Sequence, residues 1–112
     1  MAYFYQNNEK DREAINLYKR LLEIDPKNFL AEYNIGFVFL QNLDKPDSSA
    51  HHFTNALKYS PNYFQAYYNR GYAYELLENY KDARLDYKAA LTLSNNYPLA
   101  IEGLNRLDAI QK

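Results

Sequence analysis

Two groups of aromatic and amide residues with the same spacing are the part of this sequence best suited to binding chemistry. The groups are Tyr33, Asn34 and Phe37 and, 35 residues later, Tyr68, Asn69 and Tyr72. An Asn side chain carries donors and an acceptor, so it can pair with a peptide backbone whatever the peptide's side chains are. Aromatic rings offer a large contact area at low entropic cost. The groups indicate peptide recognition, although packing between neighbouring helices would also account for the rings and for the Asn pair.

The predicted binding surface includes further residues that share a helical face with these two groups. Positions three and four apart lie on one side of a helix. The whole predicted site consists of Tyr33, Asn34, Phe37, Gln41, Gln65, Tyr68, Asn69, Tyr72, Leu76 and Arg106. Because it is aromatic and almost uncharged, we expect it to prefer apolar or aromatic segments of a ligand.

The sequence contains no pattern typical of an enzyme active site. His51 and His52 are its only histidines, and adjacent residues on a helix do not face each other. Neither belongs to a metal-binding HExxH motif, so we interpret the pair as solvated helix surface. Ser48 and Ser49 lack the glycine-flanked turn of a nucleophile. We expect no enzymatic activity, no catalytic or metal-binding residue and no cofactor.

Composition narrows the range of partners and locations. The 112 residues correspond to one domain, with 13 Lys and Arg, 14 Asp and Glu, and a net charge of -1. This balance argues against nucleic-acid binding, and the absence of cysteine excludes disulfides and thiolate metal sites. No apolar run approaches membrane-spanning length, and the first residues do not form a signal peptide. We therefore expect no membrane insertion and predict a cytoplasmic location.

The binding residues must be positioned by a repeating pair of helices. Matching residues are separated by 34 or 35 positions: Gly36 and Gly71, Phe39 and Tyr74, Tyr18 and Phe53, Phe53 and Tyr87, and Ala56 and Ala90. One inserted residue in the turn 41–46 accounts for the difference, since insertions in turns cost little. Helices are predicted at 10–24, 28–42, 46–60, 62–77, 80–94 and 98–110, preceded by a short helix that ends near Asn7. Gly71 is predicted to allow close approach of a second helix.

One stretch carries most of a recognisable motif. It reads Tyr67-x2-Arg70-Gly71-x2-Tyr74, then Ala83-x3-Tyr87, then Asn95. This resembles the tetratricopeptide repeat, whose pattern has Leu before the Gly and Pro at the end. Arg70 replaces that Leu, and its stem can cover apolar surface while its charged head stays in water. The resemblance implies an all-α fold of stacked antiparallel helix hairpins, a right-handed superhelix (α-solenoid), whose concave groove binds peptides.

The same pattern divides the chain into parts. We expect a single repeat domain consisting of a partial repeat (1–28), two repeats (29–63 and 64–97) and a capping helix (98–112). In that last helix Ala100, Leu104 and Leu107 are predicted to face the core, and Asn105 occupies the position of the repeat's glycine. Because the first repeat lacks the beginning of its first helix, we interpret the chain as a fragment of a longer protein.

The resemblance also bears on the partner, which we expect to be a protein or peptide of unknown identity. Family members that bind chaperone tails carry a clamp of Lys, Asn and Arg; only Asn matches here, so we expect a different ligand. Two alternatives stay open. One is a homodimer through exposed apolar residues of the terminal helices: Tyr3, Phe4, Tyr5, Leu99, Gly103 and Ile110. The other is a substrate-docking arm of a larger enzyme.

Overall fold

A computed structural model describes residues 2–110, with side chains from Glu9 onward. This part of the chain forms six helices and no strand. They are α1 (Ala2–Ile24), α2 (Phe29–Gln41), α3 (Pro46–Tyr59), α4 (Phe64–Leu76), α5 (Tyr80–Leu93) and α6 (Pro98–Ile110). The prediction of an all-α protein is confirmed, and helices α2 to α6 begin and end within two residues of the predicted positions. No helix in this range is long and apolar enough to cross a membrane.

Local chemistry explains where the helices start and how the chain turns between them. The side chain of Asn28 accepts a hydrogen bond of 3.0 Å from the backbone N–H of Ala31 at the start of α2, which satisfies a donor that the helix leaves free. Pro46 occupies the first turn of α3, where its missing N–H costs nothing. Asp44 and Glu78 have φ values of 53° and 61°. These left-handed conformations turn the chain between α2 and α3 and between α4 and α5.

Helix α1 differs from its prediction. The sequence indicated a short helix ending near Asn7 and a second one starting at Lys10, but α1 runs without a break from Ala2 to Ile24. The segment from Asn7 to Lys10 contains neither Gly nor Pro. Its Asn and Glu residues cost a helix only about 0.7 kcal/mol each at most, so nothing local interrupts the hydrogen bonding. The side chains of Tyr3, Phe4 and Tyr5 lie outside the described residues.

The helices pack in sequence order and form a helical-repeat solenoid. Each helix contacts the next one along the chain, and α2 and α4, and α4 and α6, also touch. Helices α2, α4 and α6 therefore lie side by side, with α3 and α5 behind them. The predicted binding residues all belong to α2, α4 and α6, the three helices that lie side by side.

Three glycines set the distance between the helices. Phe53 on α3 and Tyr87 on α5 are fully buried, and their rings pack directly on glycine backbone. An ideal Cβ on Gly36 would lie 2.9 Å from the Phe53 ring, and one on Gly71 would lie 3.1 Å from the Tyr87 ring. On Gly103 the corresponding distance to Tyr87 is 2.6 Å. Tyr87 is thus held between α4 and α6, which joins three helices through a single side chain.

One detail of this packing contradicts an expectation from the sequence, which placed Gly103 in an exposed apolar strip of the last helix. The glycine contact of α6 is made by Gly103, which is buried, whereas Asn105 is exposed. Gly103 faces α5, and no helix in the described part of the chain follows α6 to approach Asn105. Gly103 therefore does not belong to the exposed apolar strip that was expected on the last helix. Leu99 and Ile110 of that strip are exposed.

Arg70 does not keep its head in water as expected. It forms two hydrogen bonds of 2.8 Å to the buried carboxylate of Asp86 on α5. Burial raises the pKa of Asp86, and the bidentate contact with Arg70 opposes that rise. The corresponding contact between α2 and α3 joins His52 to Glu32 at 2.8 Å. The interpretation of His52 as solvated surface is therefore wrong, whereas His51 is exposed.

Candidate functional site

The ten predicted binding residues differ widely in exposure. Four are exposed: Phe37, Gln41, Leu76 and Arg106. Five are partly buried: Tyr33, Asn34, Gln65, Tyr68 and Tyr72. Asn69 is buried, with 5% of its surface accessible. Helices α2 and α4 carry nine of the ten residues and α6 carries Arg106, so the surface spans three helices with an exposed side chain on each.

The aromatic residues of the two matched groups are arranged alike. On α2 the rings of Tyr33 and Phe37 stack with centroids 6.2 Å apart, and on α4 those of Tyr68 and Tyr72 stack at 6.5 Å. Each pair is one helical turn apart, so its rings follow the helix axis. The two helices therefore present parallel rows of stacked rings.

Two tyrosines that the sequence analysis missed support these rows from the loops. Tyr63 precedes α4 and lies 4.7 Å from the ring of Tyr33. Tyr97 precedes α6 and lies 5.4 Å from the ring of Tyr68. Burial raises the pKa of Tyr33 to about 12, and Tyr63 adds to the rise. Tyr33 and Tyr68 thus pack against a neighbouring loop and are only partly accessible. The spacing of 34 between Tyr63 and Tyr97 was the signal available in the sequence.

The matched asparagines have different environments. Asn69 donates hydrogen bonds to the hydroxyl of Tyr33 at 2.8 Å and to the backbone carbonyl of Gln65 at 3.0 Å. Its amide therefore ties α4 to α2. Asn34, at the equivalent position of α2, is partly exposed and has no side-chain hydrogen bond within the described part of the chain. Of the two, Asn34 has the amide that is available to a ligand.

Asn69→Ala is expected to lower the free energy of unfolding by about 1–2 kcal/mol, because it removes a buried hydrogen bond and leaves Tyr33 without its donor. Asn34→Ala is expected to change the stability by less than about 0.5 kcal/mol, the usual range for a surface substitution. Urea unfolding of both variants measures the difference. Equal stabilities for the two variants would show that the interhelical hydrogen bond contributes nothing.

Hydrogen bonds join Glu75, Tyr87 and Arg106 at the α6 end of the surface. Glu75 on α4 accepts hydrogen bonds from the hydroxyl of Tyr87 at 2.6 Å and from two nitrogens of Arg106 at 2.9 and 3.0 Å. Arg106 also lies over the ring of Tyr72, 5.8 Å from its centroid. Burial alone would raise the pKa of Glu75, but the hydrogen bonds from Arg106 and Tyr87 outweigh it and hold that pKa below its ordinary value. The charges of Glu75 and Arg106 are therefore mutually compensated.

The low pKa of Glu75 predicts a loss of stability in acid. As the pH falls, Glu75 takes up a proton in the unfolded protein before it does so in the folded protein. Its contribution to the free energy of unfolding is therefore complete above the ordinary pKa of 4.5 and is lost as the pH falls through the lower pKa of the folded state. Glu75→Gln should flatten this acid decline in the free energy of unfolding, measured by urea titration between about pH 7 and about pH 3. Glu23→Gln, an exposed carboxyl on α1, is the control. A decline of unchanged slope in Glu75→Gln would contradict the prediction.

Comparison with sequence families gives two matches. A profile described as "Tetratricopeptide repeat" matches residues 40–98, and one described as "TPR repeat" matches residues 2–42. A comparison with curated proteins gave no match.

Solved structures share the arrangement of helices. The Arabidopsis OM64 TPR domain is 26% identical with a TM-score of 0.85, over 92% of this chain and 84% of that one. The first TPR of Spaghetti (RPAP3), bound to the HSP90 peptide SRMEEVD, is 26% identical with a TM-score of 0.87, over 95% and 83%. The first TPR domain of human RPAP3 is 27% identical with a TM-score of 0.85, over 94% and 82%.

Proposed function

The chain belongs to the tetratricopeptide repeat family, and from that premise we propose that it is a protein-interaction module that binds a peptide segment of a partner. The proposed binding surface is the face of α2, α4 and α6. The observation that carries the proposal is the combination of stacked, partly exposed rings on adjacent helices with the amide of Asn34, which has no side-chain hydrogen bond within the described residues. The structural neighbour that holds a chaperone peptide supports a peptide as the ligand.

The chemistry of this face supports a neutral ligand with apolar or aromatic side chains. Arg106 is the one cation among the ten proposed residues, and Glu75 already holds two of its nitrogens. A peptide carboxylate would have to compete with that contact. Phe37 and Leu76 are exposed and offer apolar area, while Asn34 can pair with a peptide backbone. The proposed ligand therefore differs from the acidic peptide of the chaperone-bound neighbour.

Selection from a library of random displayed peptides tests the proposal, with SRMEEVD as a fixed comparison. The enriched peptides are expected to be neutral and aromatic and to bind more tightly than SRMEEVD. Asn34→Ala and Phe37→Ala should each weaken their binding about tenfold, as expected for residues that contribute to a binding hot spot. His51→Ala, an exposed residue of α3, is the matched control and should bind like the parent. Binding that survives both substitutions would overturn the proposed surface.

We also propose a non-enzymatic role for this chain, which the family match and the peptide-bound neighbour support. The division into a partial repeat, two repeats and a capping helix is proposed on the sequence spacing. A homodimer through the terminal helices, a role as a substrate-docking arm and a cytoplasmic location stay predictions.

A further inference from the structure

Arg106 occupies a position in the proposed binding surface where the other two helices carry an aromatic ring. By repeat spacing it corresponds to Tyr72 on α4 and to Phe37 on α2. Its guanidinium lies over the ring of Tyr72, 5.8 Å from the centroid, and Tyr72 stacks in turn on Tyr68. The side chain of Arg106 is 42% exposed. A ligand that crosses the three helices would therefore meet two rings and then a guanidinium.

Glu75 holds this guanidinium from α4. Its carboxylate accepts hydrogen bonds from Nε of Arg106 at 2.9 Å and from the terminal nitrogen Nη2 at 3.0 Å. Paired contacts of this kind between charged groups are stronger than those between neutral groups. The side chain of Glu75 is only 13% exposed, so salt screens the pair less than it would screen two fully exposed charges. An incoming carboxylate therefore meets a cation whose charge is already paired.

The other contact of Glu75 does not require a negative charge. Its carboxylate also accepts the hydroxyl of Tyr87 at 2.6 Å, and the oxygen of a neutral amide can accept a hydroxyl as well. At the equivalent position of the preceding repeat, Leu40 packs in one cluster with Phe53, a ring without a hydroxyl. The repeat fold thus accommodates an uncharged residue at this position. Among the described residues, Arg106 is the one cation that Glu75 contacts.

The contact with Glu75 decides which nitrogens of Arg106 a ligand can use. Nε and Nη2 form the fork that could hold both oxygens of a ligand carboxylate, and Glu75 fills it. Nη2 also lies 3.4 Å from the hydroxyl of Tyr87. The remaining nitrogen, Nη1, has no hydrogen-bond partner among the described side chains. It can donate to a backbone carbonyl, which is a neutral acceptor.

We propose that Glu75 sets the charge selectivity of this surface: by occupying Arg106 it excludes ligands that present a carboxylate and leaves a single donor beside the rings. This inference rests on the proposed peptide-binding function and gives the cause of its preference for neutral ligands. Glu75 acts through Arg106, so it is a positioning residue. The selectivity is then a property of one ion pair and not of the overall composition of the surface.

Glu75→Gln tests the proposal, because glutamine has nearly the same shape and keeps an oxygen for the hydroxyl of Tyr87 but carries no charge. The probes are SRMEEVD, the acidic peptide of the chaperone-bound neighbour, and SRMQQVN with an amidated C-terminus, which lacks every carboxylate. Isothermal titration calorimetry measures both at neutral pH. Glu75→Gln should bind SRMEEVD about tenfold more tightly than the parent does, as one released charged contact predicts. The peptide without carboxylates should show no such gain.

Two further variants test whether the gain comes from Arg106. Glu75→Gln combined with Arg106→Gln removes the released cation and should return the affinity for SRMEEVD to that of the parent. Glu102→Gln removes an exposed carboxylate from α6, so it changes the net charge equally while leaving the contact between Glu75 and Arg106 in place. It should bind SRMEEVD like the parent. Circular dichroism checks that each variant is folded.

A purely structural role of Glu75 would give a different pattern. If its carboxylate only stabilised the packing of α4 against α6, Glu75→Gln would weaken the binding of SRMEEVD and of the neutral peptides from the library alike. Under the proposal the neutral peptides lose less than about twofold in affinity, as expected for a residue outside the binding hot spot, whereas SRMEEVD gains.

Three results would overturn the proposal: a parent that binds SRMEEVD as tightly as the neutral peptides, a folded Glu75→Gln variant that gains no affinity for SRMEEVD, or an equal gain in Glu102→Gln. The proposed peptide-binding function has a separate readout, which is the effect of Asn34→Ala and Phe37→Ala on the neutral peptides. Neutral binding that depends on those two residues, without a gain for SRMEEVD in Glu75→Gln, would leave the function standing and remove this inference.

Discussion

Gly103→Leu is expected to lower the free energy of unfolding by about 3 kcal/mol or more, at the upper end of what overpacking costs. A Cβ on Gly103 would already lie 2.6 Å from two atoms of the Tyr87 ring, and leucine adds three further carbons. Tyr87 is fully buried and has Gly71 on its other side, so its ring has no free space to enter. The α5–α6 contact must open to admit the new side chain.

The control for this prediction is Asn105→Leu on the same helix. Asn105 is exposed, so leucine there should change the stability by no more than about 0.5 kcal/mol. Urea unfolding of the two variants, at a protein concentration low enough to exclude association, measures the contrast. If Asn105→Leu proved the more damaging change, α6 would make its close contact at Asn105, the position that the repeat spacing assigns to glycine, and not at Gly103.

Tyr87→Ala is expected to lower the free energy of unfolding by about 3–5 kcal/mol, the usual cost of removing a large buried aromatic side chain. Its ring packs against both Gly71 on α4 and Gly103 on α6. Its hydroxyl also donates to Glu75 at 2.6 Å. Since small domains are stable by only about 5–15 kcal/mol, this variant should be close to unfolded, as thermal melting followed by circular dichroism would show.

Tyr87→Phe separates the two roles of this side chain. It keeps the ring and removes the hydroxyl, so it should cost about 1–3 kcal/mol, the penalty for a hydrogen bond to a carboxylate that is largely buried. Glu75 would retain Arg106 as a partner, which limits the loss. If Tyr87→Phe were as damaging as Tyr87→Ala, the hydroxyl and not the packing of the ring would hold the three helices together.

The positions of the helices could be predicted because their signals are local. Asn28 and Pro46 mark helix starts through chemistry within a few residues. The apolar spacing within each helix identifies the buried face, and Ala66, Ala83 and Ala90 are indeed fully buried. Where the local signal was weak, as between Asn7 and Lys10, the prediction was wrong.

The binding surface could be predicted only in part. Repeat spacing placed the aromatic pairs on α2 and α4 in equivalent positions, and the structure stacks both pairs in the same way. The repeat spacing predicts equivalent roles for Asn34 and Asn69. In the structure Asn69 is buried and bonded to Tyr33, whereas Asn34 is partly exposed. The reason is that Tyr33 on α2 lies beside Asn69, whereas no equivalent helix lies beside Asn34 within the described residues.

By itself the sequence determined the helical repeat, because periodicity and turn residues act along the chain over a few residues at a time. Only the tertiary structure decided which side chains are partners. The pairing of Arg70 with Asp86, the position of Tyr87 between Gly71 and Gly103, and the engaged amide of Asn69 all depend on helices brought together from distant parts of the chain. A residue's type states what contacts it can make, but its exposure and its partner are properties of the packed helices.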